Sequence, residues 1–237
     1  MQIILASAKI MYDKLKSVPD VSLSTPRFQN EAESFARDMA QYSAETIADM
    51  LGCSQQIAAQ NSLRFMQFFD EKPKLPAILA YHGQAYKHLK AETLNVDALN
   101  YSQGILWITS FLYGLLRPLD GILPYRMEGN VELPSGEGKN MFGFWKNRLT
   151  DILIDAVKAD DGILIHLATE EFQHLFDWQR VRKEVRIIQP LFLCSQRKRP
   201  KDAGCLGKDL PGSDDKVHYP EPYHPPRGSL CFQLRGF

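Results

Sequence analysis

The sequence predicts a mixed α/β (α+β) fold, one main sheet with surrounding helices, followed by a disordered tail. Three observations carry this. Short apolar runs of strand length alternate with segments of helical periodicity. At 237 residues, 44% of them hydrophobic, the chain can bury a sizeable core. Periodicity then stops after Pro190, where prolines and cysteines cluster.

The elements follow in order. "IILAS" is an apolar run that reads as a buried strand. "TPRFQNEAESFARDMAQYS" spaces Phe28, Ala32, Phe35, Ala36 and Met39 along one helix face. In "SAETIADMLGCSQQIAAQNSLRFMQFF", Ser43 is a good N-cap, with Glu45 and Asp49 placed early in the helix. "PAILAYHG" reads as a strand and "QAYKHLKAET" as a short helix. "GILWITSF" is β-branched and aromatic, hence a central strand. "MFGFWKNRLTDILIDAVKAD" is a long amphipathic helix. Gly162 then opens the buried strand "ILIHLA", and "EVRIIQPLF" is the last strand. No internal repeat is present.

Charge and composition exclude several classes. Lys and Arg number 28, as do Asp and Glu. The segment after Pro190 holds eight basic and five acidic residues, leaving 20 basic and 23 acidic in the body. A nucleic-acid site must therefore be a local patch. No apolar run is long enough for a membrane span, and the N-terminus lacks the basic region of a signal peptide. The four cysteines show no CxxC spacing, which fits a cytoplasmic chain with reduced thiols. Nothing in the pattern defines an oligomeric state.

"IADMLGCSQQIAAQN", residues 47–61, is the first informative stretch. Two helices joined through Leu51, Gly52, Cys53 and Ser54 match a helix-hairpin-helix, spanning about residues 43–69. There a glycine lets the backbone approach a phosphate, and free N–H groups at the second helix's start bind it. Such contacts position DNA without reading its sequence. The usual motif has a second glycine where Ser54 stands, and no Lys or Arg falls within 47–61. An ordinary capped αα-hairpin accounts for the same residues.

The second is "SFLYGLLRPLDGILPYRME", residues 110–128. Pro118 and Pro124 stiffen the backbone, and Asp120 before Gly121 marks a turn. A buried arginine must be paired. In one reading Arg117 or Arg126 pairs with Asp120 or Glu128. In the other both arginines stand at a cleft and bind phosphate or carboxylate. Lys9 follows the first strand, at the edge where ligands bind in open α/β sheets. His82 and His88 form a polar-aromatic cluster with Tyr81 and Tyr86. His166, Glu170 and His174 would share a helix face, but His166 lies in a strand, so no metal or cofactor is expected.

The 110–128 stretch resembles the signature of the YaaA family, the bacterial peroxide-stress proteins. "IILASAKIM", "NSLRF", "YHGQAYKHLKAET", "MFGFWKNRLTDIL" and "HLATEEF" have counterparts in the same order, making residues 1–192 a YaaA-like body. The resemblance implies a cytoplasmic protein that protects DNA during peroxide stress and limits iron-dependent damage. It implies a fold like no common superfold, with a positively charged cleft and a helix-hairpin-helix. It also implies binding to double-stranded or branched DNA without sequence specificity. Carried over, the DNA-binding residues are Leu51, Gly52, Cys53, Ser54, Lys9, Arg64, Arg117 and Arg126. The cleft motif adds Gly114, Pro118, Asp120, Tyr125 and Glu128. The family's "SPAK" serine and proline are Ala6 and Ser7 here, and its "NLAS" is His166 to Thr169. The alternative is an enzyme acting on nucleic acid or a nucleotide in the basic cleft, although no nucleophile–base pair stands out.

The tail departs from the family, which continues with a basic helix, "WAKKxRGxMxRYIIxNR", and later "FNSEG". With suitable codons, reading one base downstream recovers that order. Leu206-Gly207 yields Trp-Ala, and "KVHYPEPYH" yields Arg-Tyr-Ile-Ile-Gln-Asn-Arg-Ile-Thr. Residues 193–237 are therefore expected to be out-of-frame and disordered, with no role for Cys194, Cys205 or Cys231.

Overall fold

The computed structural model describes residues 1–15, 19–193 and 231–236. It contains two compact units: Met1–Gln189 with Gly236–Phe237, and Pro190–Arg235. The first carries a five-stranded, mainly parallel sheet in the order β4-β3-β1-β6-β7. Its strands are β1 (Gln2–Ala6), β3 (Leu106–Ser110), β4 (Gly114–Leu116), β6 (Ile163–His166) and β7 (Arg186–Leu193). β1 pairs in parallel with β3 and with β6, and β6 with β7, while β4 turns back antiparallel on β3. All five residues of β3 are buried, as expected of a central strand covered on both faces. Cys231–Gly236 (β8) is a further strand. Residues 194–230, on which most of the tail expectation falls, lie outside the described residues.

The helices follow from their patterns and caps. α1 (Gln29–Met39) buries Ala32, Phe35, Ala36 and Met39, the stripe that the spacing predicts. α2 (Ala44–Leu51) is capped by Ser43, whose hydroxyl accepts from Thr46 N. α3 (Gln55–Met66) is capped by Ser54 in the same way. α7 (Met141–Ala159) is capped by Asn140 and buries Phe144, Trp145, Leu149, Leu153 and Val157. "PAILAYHG" departs from expectation: only β2 (Leu75–Pro76) is extended, and α4 (Ala77–Ala80) is a single helical turn. All four α4 residues are buried, and a uniformly apolar run has no period to separate strand from buried helix. α5 (Gln84–Leu89), α6 (Val96–Ile105) and α8 (Trp178–Glu184) complete the helices, and β5 (Gly121–Ile122) pairs with β2.

Trp145 is the hub of the packing. Its indole meets Phe28, Phe35 and Phe144 edge-on at centroid distances of 5.1, 6.0 and 4.9 Å. Its Nε1 donates to the Phe111 carbonyl at 2.8 Å. The ring lies directly on Gly114, where an added Cβ would come within 2.8 Å of Cζ3. Gly114 also has φ +69°, a conformation unfavourable for other residues. Gly114→Ala should therefore combine backbone strain with overpacking and lower stability by about 2–5 kcal/mol. Urea unfolding would measure this, and a loss under about 1 kcal/mol would mean that α7 yields easily.

Candidate functional site

β1 lies between β3 and β6. The chain leaves β1 for β3 on one side, then returns to β6 on the other. Loops leaving adjacent strands in opposite directions open a crevice at the strands' carboxyl ends. Here that crevice is a cavity of about 190 Å³. Its walls are Ala6 to Lys9 after β1, Thr169, Glu171 and Phe172 after β6, and Phe111 with Tyr125 to Glu128.

Its charges are coupled through Glu128. Lys9 Nζ donates to Glu128 Oε2 at 2.9 Å, and Arg126 Nη2 lies 3.1 Å from Oε1. The Arg126 and Glu128 side chains are only 16% and 14% exposed, whereas Lys9 is open to solvent. The Arg126 contact is an ion pair without hydrogen-bond alignment. Arg126 Nε and Glu128 Oε1 are both buried with no hydrogen-bond partner among the described residues. Such capacity is costly to leave unused, and it suits a polar ligand. Asn61 on α3 holds the Arg126 backbone from both sides: Asn61 Nδ2 donates to its carbonyl at 2.9 Å, and Asn61 Oδ1 accepts from its N–H at 2.8 Å.

Below the charges runs a chain of hydroxyls. Tyr125 Oη lies 2.6 Å from Ser110 Oγ and 2.8 Å from Tyr81 Oη. Burial pushes the Tyr125 phenol up to about 12, so it stays protonated at neutral pH and positions rather than attacks.

The other anticipated residues lie elsewhere. Arg117 is not in the crevice. It is at the opposite end of β3, stacked 3.2 Å from the Trp107 ring centroid and donating to the Leu106 carbonyl at 3.3 Å. Burial lowers its pKa to about 10. Asp120 accepts from Arg117 N at 2.8 Å and from Ser24 Oγ at 2.7 Å, closing the turn around Pro118. Burial raises its pKa, against the pull of those hydrogen bonds. Arg64 pairs with Asp13 at 2.8 Å. Between α2 and α3, Gly52 has φ +55°, and Cys53 N donates to the Ala48 carbonyl at 3.0 Å, a Schellman closure. Leu51 is buried beneath this hairpin. The sequence pattern did not single out Asn61 or Glu171. Asn61 had a visible signal, a polar residue on the buried face of its helix, but Glu171 had none.

His166, which ends β6, is 1% exposed and packs 4.9 Å from the Trp178 ring. Neither ring nitrogen has a partner among the described residues, and no cluster there could hold a metal ion.

A mixed α/β chain with a charged crevice where its parallel strands diverge has the form of a ligand-binding α/β protein. Its family is then specific. The family model described as peroxide stress protein YaaA matches residues 1–212. A UPF0246 protein of Phocaeicola vulgatus is 47% identical over 193 residues, 81% of this chain and 75% of that protein. One from Bacteroides thetaiotaomicron is 41% identical over the same shares, and one from Porphyromonas gingivalis is 38% identical over 83% and 77%. The chain belongs to the peroxide stress protein YaaA family. No helix among its described residues is long and apolar enough to cross a membrane.

Burial pushes the pKa of His166 down from 6.5 to about 4. The unfolded chain gains this proton as pH falls through 6.5, and the folded chain only near 4. Stability from this residue is thus complete above pH 7 and drains away across that window, by about 2 kcal/mol at pH 5. Urea midpoints should fall between pH 7.5 and pH 5 by more in the parent than in His166→Phe. Equal pH slopes would show that His166 is already accommodated as a cation.

Proposed function

We propose that this protein acts in the cytoplasm at DNA during peroxide stress, binding duplex or branched DNA without sequence preference and limiting iron-dependent damage there. Family membership supports the stress role. The observation that carries the DNA contact is the α2–α3 hairpin. Gly52 has no atom within 4 Å of where its Cβ would be, so its face is open to an approaching backbone. Ser54 satisfies only Ile57 N, which leaves N–H groups at the start of α3 free for a phosphate oxygen. Lys9 and Arg126 at the crevice are both paired with Glu128, so the ligand they suit is one that also satisfies that carboxylate, such as a nucleotide's base edge. The unpartnered Arg126 Nε and Glu128 Oε1 favour a second reading alongside the first, an activity on a nucleotide held in the crevice.

Gly52→Val should weaken duplex binding about tenfold or more, since a branched side chain would stand where the phosphate approaches. Because φ +55° also strains any β-branched residue, Gly52→Asn, which tolerates that conformation, is measured beside it and should weaken binding with thermal stability near that of the parent. Electrophoretic mobility shifts across a salt series would measure it. Parent-like affinity in these variants would make the hairpin purely structural.

We also propose that residues from about 193 onward are translated out of frame. The recovery of the family's basic helix in the shifted reading supports this. Resequencing the locus should show an open frame one base downstream that encodes that helix, and its absence rejects the proposal.

A further inference from the structure

A second cavity, of about 520 Å³, lies on the other side of the Tyr81–Tyr125 hydrogen bond from the crevice. It falls within the usual ligand-site range of ~300–1,000 Å³, which the crevice does not reach. Its walls are Tyr12, Tyr81, His82 and Tyr86, with Ile78 and Leu79 beneath. Lys14, Lys87 and Glu92 stand at the rim, all exposed.

The chain builds this cavity from two segments held in fixed register. Met11 bridges Tyr81, Tyr12 N donates to the Ala80 carbonyl at 2.9 Å, and His82 N donates to the Ile10 carbonyl at 2.8 Å. The loop after β1 is thereby laid against the stretch "AYHGQAYK". Tyr86 Oη donates to the Ala6 carbonyl at 2.9 Å, and Tyr81 Oη is occupied by Tyr125. Two of the phenols are therefore committed to partners outside the cavity, which leaves their rings to line it. Tyr12 and His82 sit 4.5 Å apart at the opening.

The charges here differ from those at the crevice. There Lys9 and Arg126 each have Glu128 within hydrogen-bonding range. Lys14 and Lys87 have no ion pair among the described residues. Two free ammonium groups beside aromatic faces match a phosphate joined to a stacking ring. Glu92, the one acid of this lining, can accept from a base's ring N–H, such as the N3–H of thymine, or from an exocyclic amino group. A base inside a duplex cannot reach such a cavity without leaving its stack.

We propose that this cavity binds one unpaired nucleotide, its base against Tyr12 and His82 and its phosphate between Lys14 and Lys87. This deepens the nucleic-acid reading above, but it uses different residues. The nucleotide comes either from a free pool or from a single-stranded stretch of DNA, and the two sources share this chemistry.

The test uses the full chain with thymidine 5′-monophosphate, thymidine, a short oligothymidylate and a duplex as probes. The oligothymidylate should bind the parent. The Lys14→Ala/Lys87→Ala double variant should bind it about tenfold more weakly, with a log–log salt slope shallower by ~0.7 for each phosphate that is no longer neutralised. Tyr12→Ala should weaken it about tenfold with the slope unchanged, because stacking carries no counterion release. Thymidine 5′-monophosphate binding with thymidine silent assigns the site to free nucleotides. Binding of the oligothymidylate alone assigns it to a strand. Parent-like binding in both the lysine and tyrosine variants, or a parent that binds none of these single-stranded probes, overturns the proposal. Gly52→Val separates the two readings, since it should weaken duplex binding and spare the oligothymidylate. Duplex binding that fails while the oligothymidylate still binds removes the hairpin contact and leaves this site standing.

Discussion

The approach of the Trp145 indole to the bare Cα of Gly114 sets most of what lies around it. Only a glycine lets α7 come this close to β4, and its positive φ turns the chain back along β3. The same indole holds the Phe111 carbonyl, so both ends of the β3–β4 turn are tied to one side chain. From that turn the chain runs through Arg117 and Asp120 to Tyr125, each step fixed by a side-chain partner. Leu119 N donates to Gln103 Oε1 at 2.7 Å, Leu123 N to Tyr113 Oη at 3.3 Å, and Arg126 N to Asn61. The crevice residues are thus delivered by a backbone anchored at nearly every turn.

That anchoring explains why one apolar segment carries two arginines and two acids. The pairs are separated in space and solve different problems. Arg117 lies over an aromatic ring, a favourable place for a weakly hydrated guanidinium, and Asp120 spends its carboxylate on a backbone N–H and a hydroxyl. Neither lines the crevice. Arg126 and Glu128 lie beyond the second proline and face each other without full alignment, which leaves each with an unused polar atom. Proximity in sequence made the four look like one site. The β4 turn and the β5 pairing send them to opposite ends of β3.

The sheet, the α1 stripe, the two serine caps and the α2–α3 hairpin were legible because each rests on local signals: period, cap chemistry and a glycine at a forced turn. Lys9 was legible as a strand-end residue. α4 was not, because four consecutive buried apolar residues carry no period. α6 was missed although Asn95 caps it by accepting from Ala98 N at 2.8 Å, since its face is mostly polar and exposed. The partition of Arg117 from Arg126 could not be read at all. It depends on Trp107 and Asn61, residues 10 and 65 positions away in sequence.

The distribution of charge constrains how a phosphate backbone could lie on this surface. The hairpin carries Glu45 and Asp49 and no cation between residues 47 and 61, so any contact there relies on backbone N–H groups and on the dipole of α3. Such a contact releases few counterions. Any steering field for an anionic ligand would come from the loop after β1 and its surroundings, where Lys9, Lys14 and Lys87 are exposed. Of these, Lys9 is shared with Glu128, so a ligand that takes it must also satisfy that carboxylate or displace it. A bare phosphate would meet repulsion from Glu128 in the crevice, whereas a group bearing both a donor and an acceptor would meet Glu128 Oε1 and Arg126 Nε together. The crevice is therefore better matched to a base edge or an amide than to a phosphate, whereas Lys14 and Lys87, unpaired among the described residues, are better matched to a phosphate.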